Sequence, residues 1–326
     1  MSTDALFSRR QALAAGLAAM ACGAGARAQG FPDKPVRILV GYSAGGAVDI
    51  IARAIGQHLQ QGLGQPVIVD NRPGAGTNIA TKALIDSAPD GSTVMLAANA
   101  LAANVSLFQP APYALERIVP IALAGRVPVV LAANAQSQVD SIKALLAQSK
   151  AAPESINYGT PGNGSTPHLA VALFERSAGI RLTHVPYKGG ALAMNDVIAG
   201  HIQTVAVNAL EVLPHVKAGK LRVLAVLSDK RSAIFPEAPT IAESGFPGFE
   251  ASVWYGLVGP AGMPAAVVAR LHQEVQRALA TTDLRERFAS AGGDAAPGSS
   301  AAFADLLRRE QQRYEKLIRE AHIKPD

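Results

Sequence analysis

The sequence predicts an α/β protein of two domains, with mostly parallel sheets and a ligand cleft between the domains. Three observations predict it. Strand-like and helix-like apolar patterns alternate along most of the 326 residues, the arrangement of sheets covered by helices on both faces. A mature length of about 300 residues suits two domains of roughly 100–200 residues each. Two apolar stretches, 121–132 and 251–260, are long enough to cross between domains, so one domain is inserted in the other. On that basis residues 31–127 and 252–326 form domain 1 and residues 128–251 form domain 2, with the cleft at their interface, the usual place for a small-molecule site.

In chain order, residues 1–28 read as an export signal. Ser8-Arg9-Arg10-Gln11 precedes an apolar run, and Ala26-Arg27-Ala28 offers the small residues a signal peptidase reads. The arginine pair resembles a twin-arginine signal; Sec export is the alternative, because Ala12 stands where a large hydrophobe is usual. Lipidation at Cys22 is the minor outcome, since Ala19-Met20-Ala21 lacks the usual leucine. Cleavage after Ala28 removes Cys22, the single cysteine, and with it disulfides, thiolate metal sites and cysteine nucleophiles. It also removes Arg9, Arg10, Arg27 and Asp4, so 30 basic and 25 acidic residues become 27 and 24, and the net charge falls from +5 to +3. That excess is too small and dispersed for nucleic acid. No later apolar run is long enough to span a bilayer, and 49% hydrophobic residues supply a large core.

Apolar runs of strand length place strands at 36–40, 67–70, 93–97, 121–132, 204–207, 221–227 and 253–258. Helical spacing places helices at 48–61, 79–86, 141–150, 168–177, 191–199 and 210–217. The C-terminal third is helical, at 265–280, 284–290 and 301–321, with breaks at Gly292-Gly293 and Pro297-Gly298.

Three loops carry the chemistry. In Gly41-Tyr42-Ser43-Ala44-Gly45-Gly46, between the first strand and the first helix, little side chain covers the backbone N–H groups. At a helix start they favour an anion such as a carboxylate; a tight turn that needs only glycine's positive φ is the alternative. Asp49 either meets an amine on a ligand or favours the dipole from the first helical turn. The second loop, Gly159-Thr160-Pro161-Gly162-Asn163-Gly164-Ser165-Thr166-Pro167-His168, follows a short strand near Asn157 and opens another helix, with Thr166 as N-cap and Pro167 at the first helical position. Capping accounts for Thr166 and Pro167, which leaves Asn163, Gly164 and Ser165 to a ligand. The third, Asn71 to Asn78, carries Gly74-Ala75-Gly76 but has Ile79 where a dinucleotide fingerprint needs a small residue, and no P-loop pattern occurs. Phosphate cofactors gain no support.

The alternative reading is a serine hydrolase. Gly41-Tyr42-Ser43-Ala44-Gly45 matches G-x-S-x-G at a strand–turn–helix, and His168, His184, His201, His215 or His272 are available as base. Ser43 follows the first strand, however, so no earlier loop furnishes the second oxyanion donor. The histidines lack metal-ligand spacing, and no metal or cofactor is expected. Lys188 and Asp196 read as solvated charges.

In this order, Gly45-Gly46-Ala47-Val48-Asp49-Ile50-Ile51-Ala52-Arg53, Asn71-Arg72-Pro73-Gly74-Ala75-Gly76, Tyr158 to His168, Val185-Pro186-Tyr187-Lys188-Gly189-Gly190, Ala238-Pro239-Thr240-Ile241-Ala242-Glu243-Ser244-Gly245 and Trp254-Tyr255-Gly256 resemble a Bug-type receptor, the periplasmic solute-binding component of tripartite tricarboxylate transporters. The resemblance spans the mature chain. It implies a Venus flytrap-like periplasmic-binding-protein fold that closes on a small organic mono- or dicarboxylate, without catalysis. It also implies that Tyr42, Ser43, Ala44, Gly45 and Gly46 hold one side of the ligand carboxylate while Gly164, Ser165 and Thr166 close from the second domain, partly through water. Asn163, His168, Asn208, Trp254 and Tyr255 complete the expected site with Asp49. Asn208-Ala209 departs from the pairs common in the family and so leaves the ligand open. The expected partners are that acid and membrane transporter subunits, with no nucleic acid, for a monomeric chain.

Overall fold

The computed structural model describes residues 30–228, 230–290, 292–320 and 323–325; the export signal lies outside the described residues. The chain begins with β1 (Val36–Val40), α1 (Ala47–Leu63), β2 (Val67–Asn71), α2 (Asn78–Ile85), β3 (Thr93–Ala97) and α3 (Ala100–Leu107) before the 17-residue β4 (Ile118–Asn134). Next come α4 (Ile142–Ala151), β5 (Asn157–Thr160), α5 (Thr166–Ala178), β6 (Thr183–Pro186), α6 (Gly190–Ala199), β7 (Thr204–Asn208), α7 (Ala209–Lys217) and β8 (Leu221–Val226). β9 (Ser252–Pro260), α8 (Ala265–Ala280), α9 (Thr282–Ser290), the short β10 (Asp294–Ala295) and α10 (Ser300–Glu320) finish the fold.

Two sheets share β4. Its first part, Ile118 to Pro128, pairs with β9, and its second, Val129 to Asn134, pairs with β7 and β8. The strand order is β2-β1-β3-β9-β4-β7-β5-β6. Within each half the βα units are parallel, β1 with β2 and β3, and β5 with β6 and β7. The expectation of mostly parallel sheets is corrected here. β4 and β9 pair antiparallel with every neighbour, because a strand that leaves one sheet for the other returns without a crossover helix. β9 lies wholly in the first sheet. The return passes through Leu227, whose N–H donates to the Val129 carbonyl at 2.8 Å and whose carbonyl accepts from Ala251 N–H at 2.6 Å.

Alternation along β1 shows why helices cover both faces. Val36, Ile38 and Val40 pack with Ile51, Ile55 and Leu59 of α1 on one side. Leu39 turns to the other side, with Met95, Leu84, Leu101 and Phe303 of α10. Besides the two-residue β10, two elements escaped the sequence pattern. α3 is apolar on nearly every side, buried from Ala100 to Asn104, so it has no polar face to mark its period. β6 is a four-residue edge strand with no buried residue, too short and too exposed for an apolar run.

Candidate functional site

Four helix starts converge where the sheets meet. Gly46 and Ala47 open α1, Ser165 and Thr166 open α5, Gly190 opens α6, and Asn208 and Glu211 sit at the start of α7; with Tyr42, Pro161 and Val253 they wall a cavity of ≈ 20 Å³. A second cavity, ≈ 200 Å³, shares Tyr42 and Pro161 and is lined by the loops around Gly76, Asn163 and Lys188. N–H groups and dipoles at helix starts favour negative charge. The smaller cavity has room for little more than a water, so the cleft is closed.

The first loop already spends part of its backbone. Ser43 N–H donates to the Lys188 carbonyl at 2.8 Å, and Gly45 N–H donates to Asp49 Oδ2 at 2.9 Å. Asp49 is buried and Arg53 bridges it, with Nε 3.0 Å from Oδ2. Burial pushes this carboxyl up, but Arg53, the Gly45 N–H and Asn71 outweigh it and hold the pKa below the ordinary range. Asp49 is therefore a loop brace. Ala44 and Gly45 are exposed and line neither cavity. The Ser43 hydroxyl is buried without a hydrogen-bond partner, so no histidine is placed to activate it and the hydrolase triad is not formed.

The approach across the cleft depends on a glycine opposite this loop: a Cβ at Gly189, where φ is +151°, would stand 2.1 Å from Ser43 Oγ. Gly190 makes room within its own half, where a Cβ would stand 1.9 Å from Glu211 Oε2. Without side chains, the second-sheet loop touches the first-sheet loop directly.

In the second loop Ser165, not Thr166, is the N-cap, its Oγ accepting from His168 N–H at 3.4 Å. The one-residue shift frees the Thr166 hydroxyl, which is buried and unpartnered. Gly164 N–H donates to His168 Nδ1 at 3.1 Å. His168 thus supports the loop from behind, its ring stacked 4.0 Å from that of His184. Burial pulls His184 down to about 4, and its Nε2 lies 2.7 Å from Thr160 Oγ1. Asn163 lines the larger cavity with a buried, unpartnered Oδ1.

Of the two predicted aromatics, Trp254 packs edge-on against Phe303, ring centroids 5.5 Å apart, and lines neither cavity. Tyr255 is fully buried with an unpartnered hydroxyl; burial first, then the charges of Glu211 and Tyr42, push its pKa far up. Asn208 stands at the start of α7, but its side chain caps nothing; Nδ2 donates to Glu211 Oε1 at 2.8 Å.

Glu211 is the cavity-lining residue that sequence reasoning missed. Asn208-Ala209-Leu210-Glu211 has the spacing of a capping box, which would assign both side chains to the helix backbone. In the structure they pair with each other and face the cavity. Burial pushes the Glu211 carboxyl up to about 7, opposed by the Asn208 amide and the Ala47 N–H. Among the described residues, no group of His, Cys, Asp and Glu is arranged to hold a metal ion, and no helix is long and apolar enough to cross a membrane.

The family model for the tripartite tricarboxylate transporter family receptor matches residues 51–323. This chain belongs to that receptor family. BugT of Bordetella pertussis is 37% identical over 297 residues, 90% of this chain and 91% of that protein. A solved R. palustris protein with adipate superposes with a TM-score of 0.86 at 30% identity, covering 91% of this chain and 100% of its own. MatC from Rhodopseudomonas palustris, with bound malate, gives 0.84 at 28% identity over 88% of this chain and 100% of its own. The Bug-type receptor is thus a periplasmic solute-binding protein of two-domain periplasmic-binding-protein fold, and not an enzyme.

Proposed function

We propose that this receptor captures a small organic mono- or dicarboxylate by closing residues 31–127 and 252–326 against residues 128–251, for uptake through tripartite tricarboxylate-type membrane subunits or for sensing. The observation that carries the reading is the convergence of four helix starts from both sheets on one cavity, with the unpartnered Thr166 hydroxyl as a further donor. Fixed N–H dipoles and hydroxyls hold a carboxylate without an arginine. The malate and adipate of the two solved relatives fit that chemistry.

Entry requires opening, and among the described residues only β4 and the pairing of Leu227 with Val129 and Ala251 join the sheets through backbone hydrogen bonds between strands. Ligand contacts made from both sides favour the closed state, which a membrane partner reads. Residues 1–28 direct export and are cleaved after Ala28, and the mature chain is a monomer.

Thermal shift and calorimetry with mono- and dicarboxylates, malate and adipate included, test the reading. A true ligand at a hundred times its Kd adds about 2.7 kcal/mol of stability. Absence of any shift across the series, or an esterase activity abolished by Ser43→Ala, would sink it. Mass spectrometry of the exported protein reads the N-terminus, expected at Gln29, and gel filtration reads the monomer.

A further inference from the structure

Away from the cleft, the second sheet ends on one side at β8. Residues Leu221 to Val226 pair with β4 across one bulge. On the far side the strand has a neighbour at its end, where Val226 N–H donates to the Pro239 carbonyl at 2.9 Å and the Val226 carbonyl accepts from Ile241 N–H at 3.1 Å. Among the described residues, Leu221 to Ala225 make no backbone hydrogen bond on that side. An open strand edge presents a row of N–H and C=O groups to any extended chain.

The bridge between Val226 and Thr240 is parallel, so in continued register residue 236 would lie opposite Arg222. No pairing is made there, and a groove of ≈ 590 Å³ separates the two segments. One wall is Leu221, Arg222 and Val223 of the edge, and the other is Ile234, Phe235 and Pro236. That second wall is held in turns of its own, Phe235 N–H donating to the Ser232 carbonyl and Ala238 N–H to the Phe235 carbonyl. Every lining residue belongs to 128–251, so the groove does not depend on the approach of the two halves.

Its chemistry is apolar with a basic side. Arg222 is exposed and gives one N–H to the Ala135 carbonyl at 3.1 Å. Lys217 and Lys220, both exposed, are chain neighbours of the lining residues Val216, Gly219 and Leu221. None of the three cations has an ion-pair partner among the described residues, and Glu237 is the acid that lines the groove. A second copy of this chain is a poor occupant, because edge against edge it brings the same cations face to face.

We infer that the groove docks an extended, acid-rich segment of a partner protein, which adds a strand to the open edge of β8. Main-chain hydrogen bonds supply the affinity, apolar side chains of the guest face Ile234, Phe235 and Pro236, and its carboxylates select the side of Lys217, Lys220 and Arg222.

The probes are blocked hexapeptides in which Asp or Glu alternates with Val or Ile, the same peptides with Lys in place of the acids, and the acidic peptides N-methylated at all odd or all even positions. Binding to the full mature chain is read by fluorescence polarisation at low salt without added carboxylate, and its place by amide hydrogen exchange. The acidic peptides are expected to bind roughly tenfold tighter than the lysine peptides or better and to slow exchange at 221–225. One of the two N-methylated sets is expected to lose binding, since a strand uses the N–H groups of alternate residues. Arg222→Glu with Lys220→Glu reverses the charge preference and Glu237→Lys strengthens it, with thermal unfolding as the check that each variant is folded. Absence of binding or of an acidic preference, protection confined to another part of the chain, equal binding by both N-methylated sets, or a preference unmoved by these substitutions overturns the inference. None of these outcomes touches the carboxylate titrations that test the receptor reading.

Discussion

Two buried acids, each in the first turn of a helix, live in opposite chemistry. Asp49 in α1 is 3% exposed and fully engaged, by Arg53 and by the Gly45 N–H, so its carboxylate is held ionised. Glu211 in α7 is 5% exposed, meets the Asn208 amide and the Ala47 N–H but no ion-pair partner among the described residues, and burial pushes its pKa up to about 7. Helix position alone would treat the two alike. The difference is Arg53, one turn on at i+4 and half exposed, which neutralises Asp49 while its own charge stays in water. The corresponding position in α7 is His215, which carries no bond to Glu211, and its pKa is lowered by burial and then by Lys220. One start is finished within the chain. The other is not.

The largest expected effect comes from removing the unfinished charge. A carboxyl whose folded pKa is raised from 4.5 to about 7 weakens the fold as pH rises through that window, with no cost below it. Glu211→Gln therefore adds about 3 kcal/mol of stability at pH 8, falling to nothing near pH 4, read by urea denaturation at the two pH values. An offset that does not change with pH breaks the comparison. Asp49→Ala goes the other way. It leaves Gly45 N–H and Arg53 without their partner and costs about 2 kcal/mol at neutral pH. Because the folded pKa is lowered, that stabilisation is present above the ordinary carboxylate range and is lost as pH falls through the folded value.

Gly189→Ala sharpens the geometry more than the charge. Its methyl meets Ser43 Oγ across the cleft, so the cleft is held ajar and ligand affinity falls about tenfold, about 1.4 kcal/mol, with a larger radius of gyration in small-angle scattering. An unchanged affinity and radius would show that closure does not need this approach. The smallest effect is at a third helix start, that of α5. Ser165→Ala removes a cap whose hydroxyl accepts from His168 N–H and lowers stability by about 1 kcal/mol, measurable in the same denaturation series.

Much of this was legible in the residues themselves. The run Val36 to Val40, the helix of residues 265–280 and the glycine-rich loops announce themselves locally, through apolar spacing and through the lack of side chains. Tyr42, Gly46, Ser165, Thr166 and Asn208 do come together around the cavity, as the loop chemistry suggested. His168 and Trp254 do not, because a buried ring is equally at home behind a loop or in a core, and spacing does not tell which. Glu211 was hidden by its own context: N-x-x-E at a helix start has a satisfactory local explanation, and only the placement of β7 beside β4 turns the pair inward.

What the sequence determined by itself was the alternation of elements, the loops that carry the site and, through the order of its motifs, the receptor family; these depend on neighbours within a few residues and on composition. What only the tertiary structure decided was which polar groups remain unsatisfied. Ser43, Thr166, Asn208 and Glu211 are separated by up to most of a domain in sequence, and whether each finds a hydrogen-bond partner depends on how the two sheets close on one another. Desolvation then acts on that arrangement, not on the residue type, and gives two similar acids opposite roles.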